Sequence, residues 1–171
     1  VAILSLNGIV SSESIKVAGN VMDQDIIKYI KSKYKLLIGE KTAEDIKINF
    51  ANVFKPDKRK KLEVRGRNLI TGLPESIEIT QDETEEALRE SVQKIIKGTT
   101  NVLEDTPPEL SADIYGKGII LTGGGALLTG LSELLEETLN VPVLTAESPL
   151  TCVVEGTGVL LDNIKLLEED Q

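Results

Sequence analysis

The chain has 171 residues, 40% of them hydrophobic and 27% charged, with a formal net charge of -9. Such a composition builds a globular core, and the negative balance argues against a nucleic-acid or anionic-membrane surface, either of which would repel it. Without histidine and with Cys152 as the single cysteine, it has no intrachain disulfide, no serine, histidine and acid triad, and none of the common zinc ligand sets.

Val1 opens directly into an alternating apolar run, without a methionine or polar lead-in, so the expectation is a piece of a longer chain. No apolar stretch approaches the ~18 residues that span a bilayer, and the N-terminus lacks the basic and apolar sections of a signal peptide, so a cytoplasmic location is expected. In "VAILSLNGIVSSESIKVAG" two β-prone runs flank Asn7-Gly8, the pair that best accepts the positive φ angles of a type I′ turn. This predicts a hairpin. Asn20 with Asp23 reads as a helix start, and Val21, Ile26, Ile27, Ile30 and Tyr34 keep helical spacing to about Lys35. Thr42 with Asp45 is a second start signature, opening "TAEDIKINFANVF" as a short helix.

The basic run from Lys55 to Lys61 follows, read as a solvated loop tip. "KKLEVRGRN" and "ESIEIT" alternate apolar and polar residues across the turn-rich "LITGLP", which predicts a second antiparallel hairpin. Thr80 with Glu83 caps a longer helix from about Asp82 to Leu103, whose buried stripe includes Leu88, Val92 and Ile95. Pro107-Pro108 interrupts the chain. From Gly118 onward, "GIILT", "GGG", "ALLTGLSELLEETLN", "VPVLTA" and "PLTCVVEGTGVLLDNIKLLEE" alternate strand and helix, which predicts a βαβα unit on a largely parallel sheet. If the N-terminal hairpin pairs with that unit, residues of about 36 to 103 form an insertion.

Gly123, Gly124 and Gly125 stand where the strand "GIILT" turns into a helix. Glycine there removes the Cβ, permits positive φ and lets backbone amides face a phosphate or a base; a tight turn with no ligand is the other reading. The spacing is neither G-x-G-x-x-G nor a Walker A loop. The acids Glu133, Glu136 and Glu137, and the C-terminal Glu168, Glu169 and Asp170, read as solvated faces and a frayed tail rather than catalytic groups.

"LTGGGALLTGLSELLEETLNVPV" resembles the adenosine-binding segment of the actin, Hsp70 and sugar-kinase superfamily, and more closely that of the bacterial actin MreB and its Mbl-type relatives. "VAILSLNGIVSSESIKVAGN", "IGEKTAEDIKI", "VRGRNLITGLP", "TPPELSADI" and "AESPLTCVVEGTG" resemble segments of that family in the same order. The resemblance implies an α/β, actin-like (ribonuclease H-like) ATPase lobe, the second half of such a protein. Subdomain IIA would comprise residues 1–34 and 104–171, and an inserted α+β subdomain IIB residues 35–103.

The family's nucleotide contacts carry over to Gly123, Gly124, Gly125 and Ala126 against the adenosine, with Leu127 beginning the helix behind it. The "AEDIK" stretch, Glu44, Asp45, Ile46 and Lys47, matches the family's Glu-x-x-Lys, bordering the nucleotide from IIB. At i, i+3 spacing Glu44 and Lys47 share a helix face, where a carboxylate accepts from ribose hydroxyls and an ammonium flanks base or phosphates. One departure is Gly19-Asn20, where many relatives have Gly-Asp; Asp23 is retained.

What the resemblance implies for function is a filament-forming, ATP-dependent cytoskeletal protein that sets rod shape by organising cell-wall synthesis. ATP or ADP with magnesium would be its cofactor in the full-length protein. Its partners would be itself, head to tail through IIA and IIB, and a RodZ-like membrane protein at IIA. It would act at the inner face of the membrane, which it would touch only through the first lobe. The phosphate loops belong to the rest of such a protein, so this chain alone is expected to be inactive as an ATPase, with no catalytic residue and no metal ligand of its own. The alternatives are half of an Hsp70-like protein or sugar kinase, or a protein-interaction module.

Overall fold

A computed structural model describes residues 1–6 and 8–162. Strands β1 (Ala2–Ser5) and β2 (Gly8–Ser12) form the expected hairpin. Ser5 pairs with Gly8, so the loop opens at Leu6, φ 50°, one residue before the Asn7-Gly8 pair that the sequence favours. Asn7 lies outside the described residues.

Helix α1 (Gly19–Tyr34) buries Met22, Ile26 and Ile30 at successive i+4 positions, each Ile contributing roughly 1.5–3 kcal/mol by leaving water. Its N-cap is Ala18, which makes no side-chain cap bond. Asn20 therefore lies exposed inside the first turn instead of capping it, and Asp23 is turned inward. Lys35 closes the helix in the left-handed region at φ 55°.

After the short β3 (Leu36–Leu37), helix α2 (Glu40–Asn49) starts two residues before Thr42. Extended backbone at Gly39 sets that start, and it leaves Thr42 inside the helix. Strands β4 (Lys61–Asn68) and β5 (Pro74–Thr80) pair antiparallel as expected, and β3 adds to the other edge of β4. Helix α3 (Gln81–Glu104) opens with the expected capping box: Glu83 Oε2 accepts from Thr80 N–H at 2.7 Å.

Helix α4 (Pro108–Lys117) was not foreseen, because Pro107-Pro108 reads as a stop; Pro108 instead opens the helix, where its missing N–H costs nothing. Strand β6 (Ile119–Leu121) pairs parallel with β7 (Val143–Thr145), as predicted for the βαβα unit. Between them lie a 3-10 turn, Gly124–Leu127, and α5 (Leu131–Leu139). Leu127 thus ends a tight turn rather than beginning the helix, which starts after Gly130 at φ 86°. Helix α6 (Cys152–Asp162) closes the described chain; the rest of the expected C-terminal helix, with Glu168, Glu169 and Asp170, lies outside the described residues.

Among the described residues the β1-β2 hairpin is a separate two-stranded sheet and does not pair with β6-β7. A cavity of about 530 Å³ is lined by Val1 and Ser12 at the hairpin and by Leu121 and Thr122 at the end of β6. One buried cluster joins α1, α2, the β3-β4-β5 sheet, α3 and the α5-β7 unit through residues such as Ile26, Ile46, Val64, Leu88, Leu135 and Val143.

Candidate functional site

The glycines in and around the turn after β6 are required for different reasons. Gly118 and Gly130 are demanded by the chain itself. Both have positive φ, and a Cβ would lie 2.6 Å from Pro142 O at Gly118 and 2.5 Å from Asn52 Oδ1 at Gly130. Gly123 also needs positive φ, at 80°, and donates its N–H to Pro149 O at 2.6 Å. A tight turn accounts for Gly123. It does not account for Gly124 and Gly125, which have no positive φ. A Cβ on Gly125 would meet nothing within 4 Å, and one on Gly124 only Leu150 Cδ2 at an ordinary 3.5 Å. Among the described residues no atom excludes a side chain there, as is also true of Gly39, Gly116, Gly156 and Gly158, so the absence of a Cβ leaves the backbone of the turn open without itself marking a ligand. Gly125 and the buried Ala126 line the 530 Å³ cavity, facing the β2-to-α1 connection from Ser12 to Val17.

The second candidate surface is α2, where the four consecutive positions divide. The Ile46 side chain is buried in the core. Asp45 borders a different groove, of about 700 Å³, shared with Leu62, Val64 and Arg65 of β4. Glu44 is exposed and makes no side-chain hydrogen bond or ion pair among the described residues, so its carboxylate is available to hydroxyl donors. Lys47, 14% exposed at its side chain, is already engaged: its Nζ lies 2.8 Å from Asp23 Oδ1 and donates to Gly19 O at 3.2 Å. Sequence reasoning missed this Asp23 contact, which joins α2 to the N-terminal part of α1.

The glycine turn and the Glu44/Lys47 face therefore flank the same stretch of chain. Ser12 to Ile15 and Val17 line the cavity with Gly125, and Gly19 and Asp23, a few residues on, hold Lys47, which does not itself line it. No hydrogen bond or ion pair joins the two groups directly among the described residues. Their spacing is fixed from behind, where Val53 N–H donates to Thr129 O at 3.0 Å and Gly130 packs against Asn52 and Phe54. Open glycine backbone, a free carboxylate and a nearby ammonium fit a nucleoside with attached phosphates. Among the described residues no group of three or more Cys, Asp or Glu is arranged to hold a metal ion, and no helix is long and apolar enough to cross a membrane.

The groups with shifted protonation gather elsewhere, between α1 and α3. Burial pushes the Glu83 carboxyl up, but hydrogen bonds from Lys33, Tyr34 and Thr80 outweigh it and hold the group below its ordinary value. The same contact raises Tyr34 to about 12, through burial first and its bond to Glu83 second. This cluster ties helices together and is no part of the candidate site.

The family profile described as MreB/Mbl protein matches residues 1–169. The cell shape-determining protein Mbl of Bacillus subtilis is 56% identical over 167 residues, covering 98% of this chain and 50% of Mbl. The crystal structure of MreB5 of Spiroplasma citri bound to AMPPNP superposes with a TM-score of 0.90 at 40% identity, covering 99% of this chain and 51% of that one. A MamK double helical filament, 23% identical over 77% of this chain and 40% of that one, shares the fold with a TM-score of 0.65. The chain spans about half the length of the curated relatives it matches. The Hsp70-like and sugar-kinase readings give way to this profile and these neighbours: the chain belongs to the MreB/Mbl family and has its actin-like α/β fold.

Proposed function

We propose that this chain is the lobe II half of a nucleotide-dependent, filament-forming bacterial actin that determines cell shape by organising cell-wall synthesis. The observation that carries the reading is the cavity whose wall is formed by Gly125 and Ala126 of the open glycine turn, facing Ser12 to Ile15 and Val17. In this reading Gly123, Gly124, Gly125 and Ala126 lie along the adenosine, and Leu127 closes the turn. Glu44 accepts from the ribose hydroxyls and Lys47 flanks the nucleotide, while Asp45 and Ile46 fix the helix that carries them. The binding of AMPPNP and ADP by MreB5 supports the ligand class.

Residues 1–34 and 104–171 form subdomain IIA and residues 35–103 form IIB, so a nucleotide touching Gly125 and Glu44 would bridge the two. A ligand that bridges movable parts shifts them towards the arrangement it binds better, which is how nucleotide would control assembly. Magnesium would be held chiefly through the phosphates, and bound ATP would supply the γ-phosphate for slow hydrolysis. This chain's own groups bind and orient, so ATP turnover by the chain alone should be negligible. Self-association runs head to tail between IIA and IIB. The apolar tip of the β4-β5 hairpin, with Ile70 80% and Leu73 65% exposed, supports such a contact. A RodZ-like membrane protein would meet IIA, placing the filament at the cytoplasmic face of the membrane.

Titration with ADP and magnesium by calorimetry tests the reading. Wild-type chain should bind, and Gly125→Val should weaken binding at least roughly ten-fold, the scale of a side chain blocking a backbone contact, without lowering the melting temperature. Equal binding by both would remove the glycine turn from the site.

A further inference from the structure

We infer that Asp23 is the positioning residue of Lys47, holding its ammonium at the first turn of α1 so that one of its protons remains for a ligand oxygen. The inference rests on the nucleotide reading above and deepens it. Asp23 is 9% exposed, and its Oδ1 lies 2.8 Å from Lys47 Nζ as a close ion pair. A buried ion pair is a weak device for stability, because desolvating both charges offsets much of their attraction. It is a good device for location. A lysine ammonium sits on a flexible four-carbon stem and otherwise swings into solvent.

The surroundings assign the role to Asp23 and not to its neighbours. Asp25, the other carboxylate on that part of α1, is occupied by the hydroxyl of Ser91 on α3. Glu44, one turn before Lys47, is exposed and pairs with nothing among the described residues. Gly19 leaves the needed room, since a Cβ there would lie 3.2 Å from Lys47 Nζ, and its carbonyl accepts at the same distance. An ammonium has three donors. One goes to Gly19 O and Asp23 Oδ1 faces a second, which leaves one for a ligand oxygen.

The test is a cycle in the whole chain: wild type, Asp23→Asn, Lys47→Met and the double variant, each titrated with ADP and magnesium. In parallel the lysine ammonium signals are followed without ligand by 13Cε-15Nζ NMR, with Lys47→Met identifying the Lys47 signal. Asp23→Asn should move or broaden that signal before any ADP is added. It should weaken ADP binding roughly five-fold, and the double variant should bind no worse than Lys47→Met, the signature of two groups acting as one unit. An unmoved Lys47 signal in Asp23→Asn, or losses that multiply in the double variant, would overturn the inference. Wild type that fails to bind ADP would overturn the nucleotide reading instead, and the ligand-free spectra would then decide alone whether Asp23 positions Lys47.

Discussion

Gly125 and Gly130 stand five residues apart and call for opposite expectations. Alanine at Gly130 must adopt φ 86° and push its Cβ onto Phe54 N and Asn52 Oδ1, so Gly130→Ala should cost roughly 2–4 kcal/mol in a urea melt. Alanine at Gly125 meets neither demand and should leave the melt unchanged while lowering ADP affinity. At the α1-α3 contact the sign of the pH effect follows from the direction of each shift. The depressed carboxyl of Glu83 contributes stability above its ordinary value of 4.5 that is lost as pH falls through its lowered value. Tyr34, raised from 10.0 to about 12, contributes fully below pH 10 and loses its contribution as pH rises through about 12. Lys33, shifted upward as well, acts in the same direction, but it is half-exposed and screened. Tyr34→Phe removes a bond to a charged acceptor and should cost about 1.5–3 kcal/mol at pH 7, with a flatter alkaline limb when melts are repeated between pH 7 and 12.

Among the elements, those with a local signal were legible and those decided by neighbours were not. The hairpins, α1, α3 and the parallel β6-β7 pair follow from alternation, helical stripes and the Thr80-Glu83 box, all of which are local. The start of α2 is set by extended backbone at Gly39, so a capping signature at Thr42 misplaced it. The tight turn before α5 reflects Gly130 packing on Asn52 and Phe54, more than seventy-five residues away in the chain. The capping box makes its own prediction: Thr80→Ala should destabilise α3 by about 1 kcal/mol in chemical denaturation. Leu88, fully buried on the same helix, should cost about 2–5 kcal/mol as Leu88→Ala.

For the molecule as a whole, the family, the fold and the glycine turn could be read from motifs in order, whereas the grip of Asp23 on Lys47 could not. Twenty-four residues separate that pair, no periodicity links them, and Asp23 read naturally as part of a helix start. In the proposed site a nucleotide would meet the glycine turn and the Glu44/Lys47 face together and leave the α2-β4 groove alone. Hydrogen exchange of the chain with and without ADP and magnesium tests this most directly. Slowed exchange at residues 123–127 and 44–47, with residues 62–65 unchanged, is the expected result. Protection confined to residues 62–65 and their groove, or protection of one surface without the other, would contradict it.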